Sequence, residues 1–229
     1  VKPGFINMNI SGDAIADYVN EMAESEKFGF ESPAKKKKII IDYGGANVAK
    51  PLHIGHLRSA VIGESIKRIC NFAGHDATGD VHLGDWGLQM GQIIAELKEM
   101  SPGLVYFDEN FHGEYPSEAP FTISELEQIY PRASAKCKED TEFARKAHEA
   151  TFLLQSGNPG YKAIWNHVLN VSIADLKKNY DALDVHFELW KKESDAQPYI
   201  PQMIENMKEK GILKESEGAL VVDISQDTD

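Results

Sequence analysis

The chain has 229 residues, 42% hydrophobic and 26% charged, which suits one large globular domain, or one and a half ordinary ones, with a packed core. A net charge of −12 argues against a chain that grips nucleic acid mainly through a basic surface, and it leaves local basic contacts open. No apolar run approaches the ~20 residues of a bilayer span, and Cys70 and Cys137 make neither a disulfide framework nor a cysteine-rich zinc site. No membrane partner is expected, and a reducing cytoplasm is the default setting.

The N-terminal V-K-P-G-F-I-N has no signal-peptide pattern and no initiator Met, so a piece of a longer protein is expected. Residues 11–24 predict a short amphipathic helix that Ser11 or Asp13 is suited to cap. After the loop G-F-E-S-P-A, four lysines at 35–38 lead into I-I-I-D-Y. Contiguous β-branched residues predict a fully buried strand of the parallel kind, ending at Asp42. Gly44 and Gly45 follow, and a helix begins near Gly55 with Ile62, Ile66, Ile69 and Cys70 on one face. Gly74 is placed to end it as C′ residue.

A second strand is expected at 77–83 and a helix at 88–100, with Met90, Ile93, Ile94 and Leu97 on one face. Strand, helix, strand, helix predicts an α/β fold with a parallel sheet and crossover helices. Residues 101–120 read as an irregular connection, and Ser124-x-x-Glu127 as a capping box. Helices follow at 140–156 and 160–182, split by S-G-N-P-G. The alternating run at 183–190 predicts a strand, 197–210 a helix, and A-L-V-V-D-I a last strand. The helical block at 123–182 interrupts the alternation and reads as an insertion or a packed helical layer.

The chemistry concentrates in A-N-V-A-K-P-L-H-I-G-H-L-R-S-A, residues 46–60. If the strand ends at Asp42, this segment lies beyond a carboxyl end, where open parallel sheets bind ligands. A helix N-terminus there favours phosphate. Gly55 lets a flat group such as adenine approach the backbone. His53 and His56 supply N–H donors for charge building on a phosphate, and Lys50 adds a point charge. These parts fit attack of a carboxylate on the α-phosphate of ATP. A bare H-x-x-H is more often an ordinary pair of core or surface residues. Zinc is a further rival, but helical ligand pairs more often stand at i, i+4 with a third ligand. The strand, the glycines, the Lys-Pro and the helix start, in this order, favour the nucleotide reading.

H-I-G-H at 53–56 matches the signature of class I aminoacyl-tRNA synthetases, and the wider A-N-V-A-K-P-L-H-I-G-H-L-R-S resembles its arginyl-tRNA synthetase version. H-L-G-D-W-G-L-Q-M-G at 82–91, N-V-S-I-A-D-L-K-K-N-Y-D-A-L-D-V-H-F-E-L-W-K-K-E-S at 170–194 and E-G-A-L-V-V-D at 217–223 resemble later parts of the same family, so the likeness runs from about Phe5 to the end. It implies a Rossmann-type parallel sheet, the first half of a class I synthetase catalytic core, with an inserted helical region. Residues 1–33 would lead in from another domain, 34–104 form the first half, 105–182 the insertion, and 183–229 return to the catalytic domain. The whole enzyme would activate L-arginine with ATP, carried with Mg²⁺ as a substrate complex and with no protein-bound metal. It would then pass the arginyl group to the terminal ribose of its tRNA, requiring that tRNA for activation. A cytoplasmic monomer is expected, and this chain alone is expected to be inactive.

Carried over by position, the resemblance implies that His53 and His56 assist adenylate formation and that Gly55 packs beside adenine. Lys50 matches a lysine that compensates where the family's second signature loop lacks its own. Asn47 would hold the amino-acid end of the substrate. Asp42 would meet the guanidinium and stands where some members carry Glu. Ala46, Val48, Ala49, Pro51, Leu52 and Ile54 complete the signature segment, and Gly45-Ala46 stands where Ser-Pro is frequent. From residues alone Asp42 is equally a strand terminator, and Gln89 either binds substrate or caps a helix start. Asp85 shapes the pocket, and Trp86 is read as packing. His82 and His186 are read as structural, the lysine run as a solvated strand start, and Arg58 as surface. The rivals are another class I synthetase and a non-catalytic module that kept the fold.

Overall fold

Three parallel strands carry the molecule, in the order β1-β2-β3: β1 is Lys38–Asp42, β2 is Asp76–Leu83 and β3 is Leu189–Lys192. The structure is a computed structural model and describes residues 4, 6–50, 52–216 and 218–224. Pro51 and Glu217 belong to predicted segments and lie outside the described residues, as does Phe5. An N-terminal helix α1, Gly12–Ala23, is capped by Ser11, whose side chain accepts from the Ala14 N–H.

Helix α2, Ile54–Phe72, connects β1 to β2 and ends at Gly74 as predicted. Gly74 takes φ 87°, and the His75 N–H reaches the Cys70 carbonyl at 3.0 Å, a Schellman closure. The face of α2 that packs on the sheet is not the predicted one. Ile62, Ile66 and Ile69 are 55%, 46% and 66% exposed, while Ala60, Gly63, Glu64 and Lys67 are buried. The Tyr43 ring decides this. It lies between Gly63 and Gly79, where an added Cβ would stand 2.2 and 2.6 Å from ring carbon and hydroxyl. Glu64 takes the Tyr43 hydroxyl proton donor at 2.7 Å and Arg68 at 2.8 Å. Lys67 bridges Glu64 and Glu188, each at 3.1 Å.

The strand at 38–42 is parallel, but it is not fully buried. Among the described residues β1 is an edge strand that pairs with β2 alone, and Ile40 on its outer face is 68% exposed. Ile41, one residue on, points to the packed side.

Helix α3, Leu88–Met100, forms as predicted, with Met90, Ile93, Ile94 and Leu97 buried against Val81 and Leu83. The connection 101–120 is irregular apart from a 3-10 turn at Val105–Phe107. Three helices follow: α4 Ile123–Glu139, α5 Thr141–Gln155 and α6 Pro159–Ala182. The capping box of α4 is Thr122 with Glu125, two residues before the predicted Ser124 and Glu127. Thr122 keeps an extended backbone, which a cap requires, and Ser124 is already inside the helix. Leu126, Ile129, Leu154, Ile164 and Val168 from these helices share one core with the sheet.

The predicted strand at 183–190 forms later, at Leu189–Lys192. Residues 183–185 instead close α6, with Asp184 at φ 54° and the Val185 N–H on the Tyr180 carbonyl. The helix expected at 197–210 begins with a 3-10 turn, Glu193–Tyr199, and continues as α7, Ile200–Glu209, with Pro201 in its first turn. The last strand is β5, Ala219–Val222. It pairs antiparallel with an unpredicted β4, Leu213–Ser216, as a separate two-stranded sheet.

Candidate functional site

Residues 43–50 cross the carboxyl ends of β1 and β2, and His53 opens α2. The loop is stitched to the strand end beside it. Asn47 bridges Gly84, the Val48 N–H donates to the Gly84 carbonyl at 3.0 Å, and the Gly84 N–H donates to the Ala46 carbonyl at 3.1 Å. The Gln89 amide nitrogen also donates to the Gly84 carbonyl, at 2.7 Å. Asn47 and Gln89 thus converge on one glycine. A Cβ there would lie 1.9 Å from the Asn47 amide oxygen.

Ala46, Val48 and Ala49 are buried. Ala49 takes φ 61°, the left-handed region, which costs a non-glycine residue about 1–2 kcal/mol. Its N–H donates to the buried Ser172 hydroxyl on α6 at 3.0 Å, and that bond holds the kink. Lys50 follows directly, with its ammonium 4.8 Å from the centroid of the Tyr130 ring on α4.

His53 is the N-cap of α2, in extended conformation. Its Nδ1 accepts the Gly55 N–H at 3.1 Å, and the Nδ1 of His56 accepts the His53 N–H at 3.3 Å. The two rings lie 3.9 Å apart. An accepting Nδ1 places the proton of a neutral imidazole on Nε2. Both rings therefore offer Nε2–H donors at the positive end of a helix. Burial lowers the His56 pKa, and the neighbouring His53 and Lys50 charges lower it further, which favours that neutral form. Gly55 is required by this geometry, because a Cβ would stand 2.9 Å from Cε1 of His53. The space expected for a flat ligand beside Gly55 is taken up, on that side, by the His53 ring.

The structure brings His53, His56 and Lys50 into one electrostatic group, and Asn47 with Gln89 into another. Asp42 sits at the exposed carboxyl end of β1, in register with Asp80, and its carboxylate makes no hydrogen bond or ion pair among the described residues. Leu52 packs against the core and Ile54 is exposed, as is Arg58. Asp85 is fully buried, and burial raises its carboxyl pKa against the opposing pull of two hydrogen bonds from Ser194. Trp86 packs edge-on against Trp165 and donates to Gln197. His82 pairs with Asp80, and His186 with Asp184. Sequence reasoning missed Ser172 and Tyr130. Ser172 lies inside the quoted 170–194 string, but nothing in that string says which backbone it holds.

A cavity of about 720 Å³ opens elsewhere, lined by Lys98, Tyr106, Phe111, Tyr115, Leu153 and Tyr161 among others, and includes no residue of the signature segment. No group of three or more His, Cys, Asp or Glu suited to a metal ion occurs among the described residues, and no helix there is long and apolar enough to cross a membrane.

Residues 19–229 match the family described as tRNA synthetases class I (R), catalytic domain. The chain is 62% identical, over its whole length, to a protein of Agathobacter rectalis named arginine–tRNA ligase, and 59% identical over 99% of its length to one of the same name from Alkaliphilus oremlandii. It spans 38% and 39% of those proteins. Among solved structures, it resembles the arginyl-tRNA synthetase of Plasmodium falciparum, with a TM-score of 0.65 and 26% identity over 91% of this chain and 36% of that one.

Proposed function

Because the chain belongs to the class I arginyl-tRNA synthetase family, in its catalytic domain, we propose that it forms the nucleotide-facing part of a site that activates L-arginine with ATP. In that step a carboxylate oxygen of arginine bonds to the α-phosphorus of ATP, the bond from that phosphorus to the bridging oxygen breaks, and pyrophosphate leaves. Mg²⁺ arrives with the ATP as part of the substrate. The arginyl group then passes to the terminal ribose of an arginine-accepting tRNA. The observation that carries this reading is the pair of Nδ1-capped imidazoles, whose Nε2–H donors stand at a helix N-terminus where phosphate charge would develop. Lys50 adds positive charge, Asn47 and Gln89 hold the strand-end loop for the amino-acid moiety, and the exposed Asp42 is free to meet a guanidinium. A monomer working in the cytoplasm completes the proposal.

Calorimetric titration of the chain with a non-hydrolysable arginyl-adenylate analogue tests it, with lysyl and cysteinyl analogues as controls. The arginyl analogue is expected to bind selectively, and His56→Ala to weaken it about tenfold, the value of one charge-assisted hydrogen bond. Equal affinity for all three analogues, or an unchanged affinity in His56→Ala, overturns the reading.

Gly84→Ala gives a second check. The new methyl meets the movable tip of Asn47 rather than backbone, so the stability cost is expected to stay near ~1 kcal/mol. The displaced Asn47 is expected to weaken arginyl-analogue binding while leaving ATP binding unchanged. Parallel losses for both ligands would remove Asn47 from the amino-acid side of the site.

A further inference from the structure

We propose that Ser172 of α6 and Tyr130 of α4 are positioning residues that hold Lys50 against the paired histidines. The inference rests on the reading of Lys50, His53 and His56 as a nucleotide-facing group. It adds that the helical block gives this group its shape.

The argument starts at Ala49. Its left-handed backbone turns the chain just before Lys50, and no glycine relieves the turn. The Ala49 N–H is buried and needs an acceptor, and the Ser172 hydroxyl, 3% exposed, supplies it at 3.0 Å. Without that acceptor the loop gains by relaxing to an ordinary backbone, and Lys50 swings away. The side chain of Lys50 is seated separately. Among the described residues no carboxylate lies within ion-pairing distance of it, and the Tyr130 ring holds the ammonium at 4.8 Å by attraction to its face. An ion pair would cancel the charge. An aromatic seat fixes the lysine and leaves its field to act on a neighbouring anion. That field reaches His56, where burial, His53 when protonated and Lys50 all act against the imidazolium, and Lys50 is the standing charge among them. One latch sets the backbone and one seat sets the side chain, and both come from helices far along the chain.

The test is an NMR titration of the His56 imidazole in the ligand-free chain, which reads the position of Lys50 directly. Lys50→Met sets the scale and is expected to move the His56 midpoint upward, because a nearby positive charge is gone. Tyr130→Leu keeps the apolar volume but removes the ring face, and Ser172→Ala removes the latch. Both are expected to move His56 in the same upward direction, while Tyr130→Phe stays at the wild-type midpoint. Arginyl-analogue affinity is expected to fall about twofold to fivefold in Tyr130→Leu, the size of one exposed cation–π contact. A His56 midpoint unmoved by Lys50→Met overturns the proposal. So does one that responds to Lys50→Met and to neither Tyr130→Leu nor Ser172→Ala. Tyr130 is only half-buried, so its variant stays folded even if loss of the Ser172 hydroxyl proves disruptive. A wild-type chain that ignores the analogue while His56 still responds to Tyr130→Leu overturns the ligand-binding reading for this chain and supports the positioning role.

Discussion

Replacing Glu64 with glutamine is expected to lower stability by about 3 kcal/mol at neutral pH and to remove an acid-sensitive part of the stability curve. Glu64 is 5% exposed in the interface between α2 and the sheet. Burial alone pushes its carboxyl pKa up. Hydrogen bonds from Arg68, Tyr43, the His186 N–H and Lys67 push it down by more, so it sits at about 2 against the ordinary 4.5. That gap is worth about 3 kcal/mol. Because the folded value is the lower one, the unfolded chain takes up a proton that the folded chain refuses. The contribution is fully present above about pH 4.5 and is lost as pH falls through about 2. Glutamine keeps the shape but cannot titrate, and it leaves Lys67, 4% exposed, with Glu188 as its remaining carboxylate. Urea unfolding of both proteins at several pH values should show a gap of about 3 kcal/mol at pH 7 that closes as pH approaches 2. A gap that stays constant into acid would mean that the carboxylate charge contributes nothing and only its shape matters.

The misread side of α2 shows where sequence reasoning ends. Ile62, Ile66 and Ile69 have the periodicity of a core face, and the opposite side carries Gly63, Glu64 and Lys67. Periodicity identifies a stripe but not what lies opposite it. The burial of the charged side is set by Tyr43 and by the carbonyl of His186, which accepts from Lys67 across 119 positions of sequence. β3 failed for a related reason. The apolar alternation begins at Leu183, but residues 183–185 are used to close α6, with Asp184 left-handed, so bonding to β2 begins only with the Glu188 N–H on the Gly79 carbonyl at 3.1 Å and the ladder runs from Leu189. By contrast, α3 and the Gly74 closure depend on local spacing and one glycine, and both were legible. The H-I-G-H string was legible as a string. Its geometry was not, because two imidazoles capping one helix through Nδ1, and a serine 123 positions away holding Ala49, are outcomes of packing.

Gly91→Ala is expected to cost about 3 kcal/mol, although alanine is the better helix former by about 1 kcal/mol. Gly91 lies where α3 crosses α5. A Cβ there would stand 2.0 Å from the Thr151 hydroxyl, 2.1 Å from the Ala147 carbonyl oxygen and 2.8 Å from the Thr151 nitrogen. The hydroxyl is fixed because it already donates to the Ala147 carbonyl at 2.9 Å. Two of the three obstacles are backbone, so a rotamer change cannot relieve the clash and the helices must part. One turn along, Ala95 packs with Ala133, Phe143 and Ala147 in a small buried cluster, so separation there opens a second gap. For a chain of this length the melting temperature should fall by roughly 6–12 °C. Gly87→Ala is the matched control, since a Cβ at that position meets nothing within 4 Å, and its cost should stay under about 1 kcal/mol. The effect reaches beyond stability. α5 packs on α6, which carries Ser172, so parting α3 from α5 also loosens the support of Ala49 and Lys50. A Gly91→Ala chain as stable as its Gly87→Ala counterpart would mean that the two helices separate without loss, and that this seam does not set the position of the helical layer over the site.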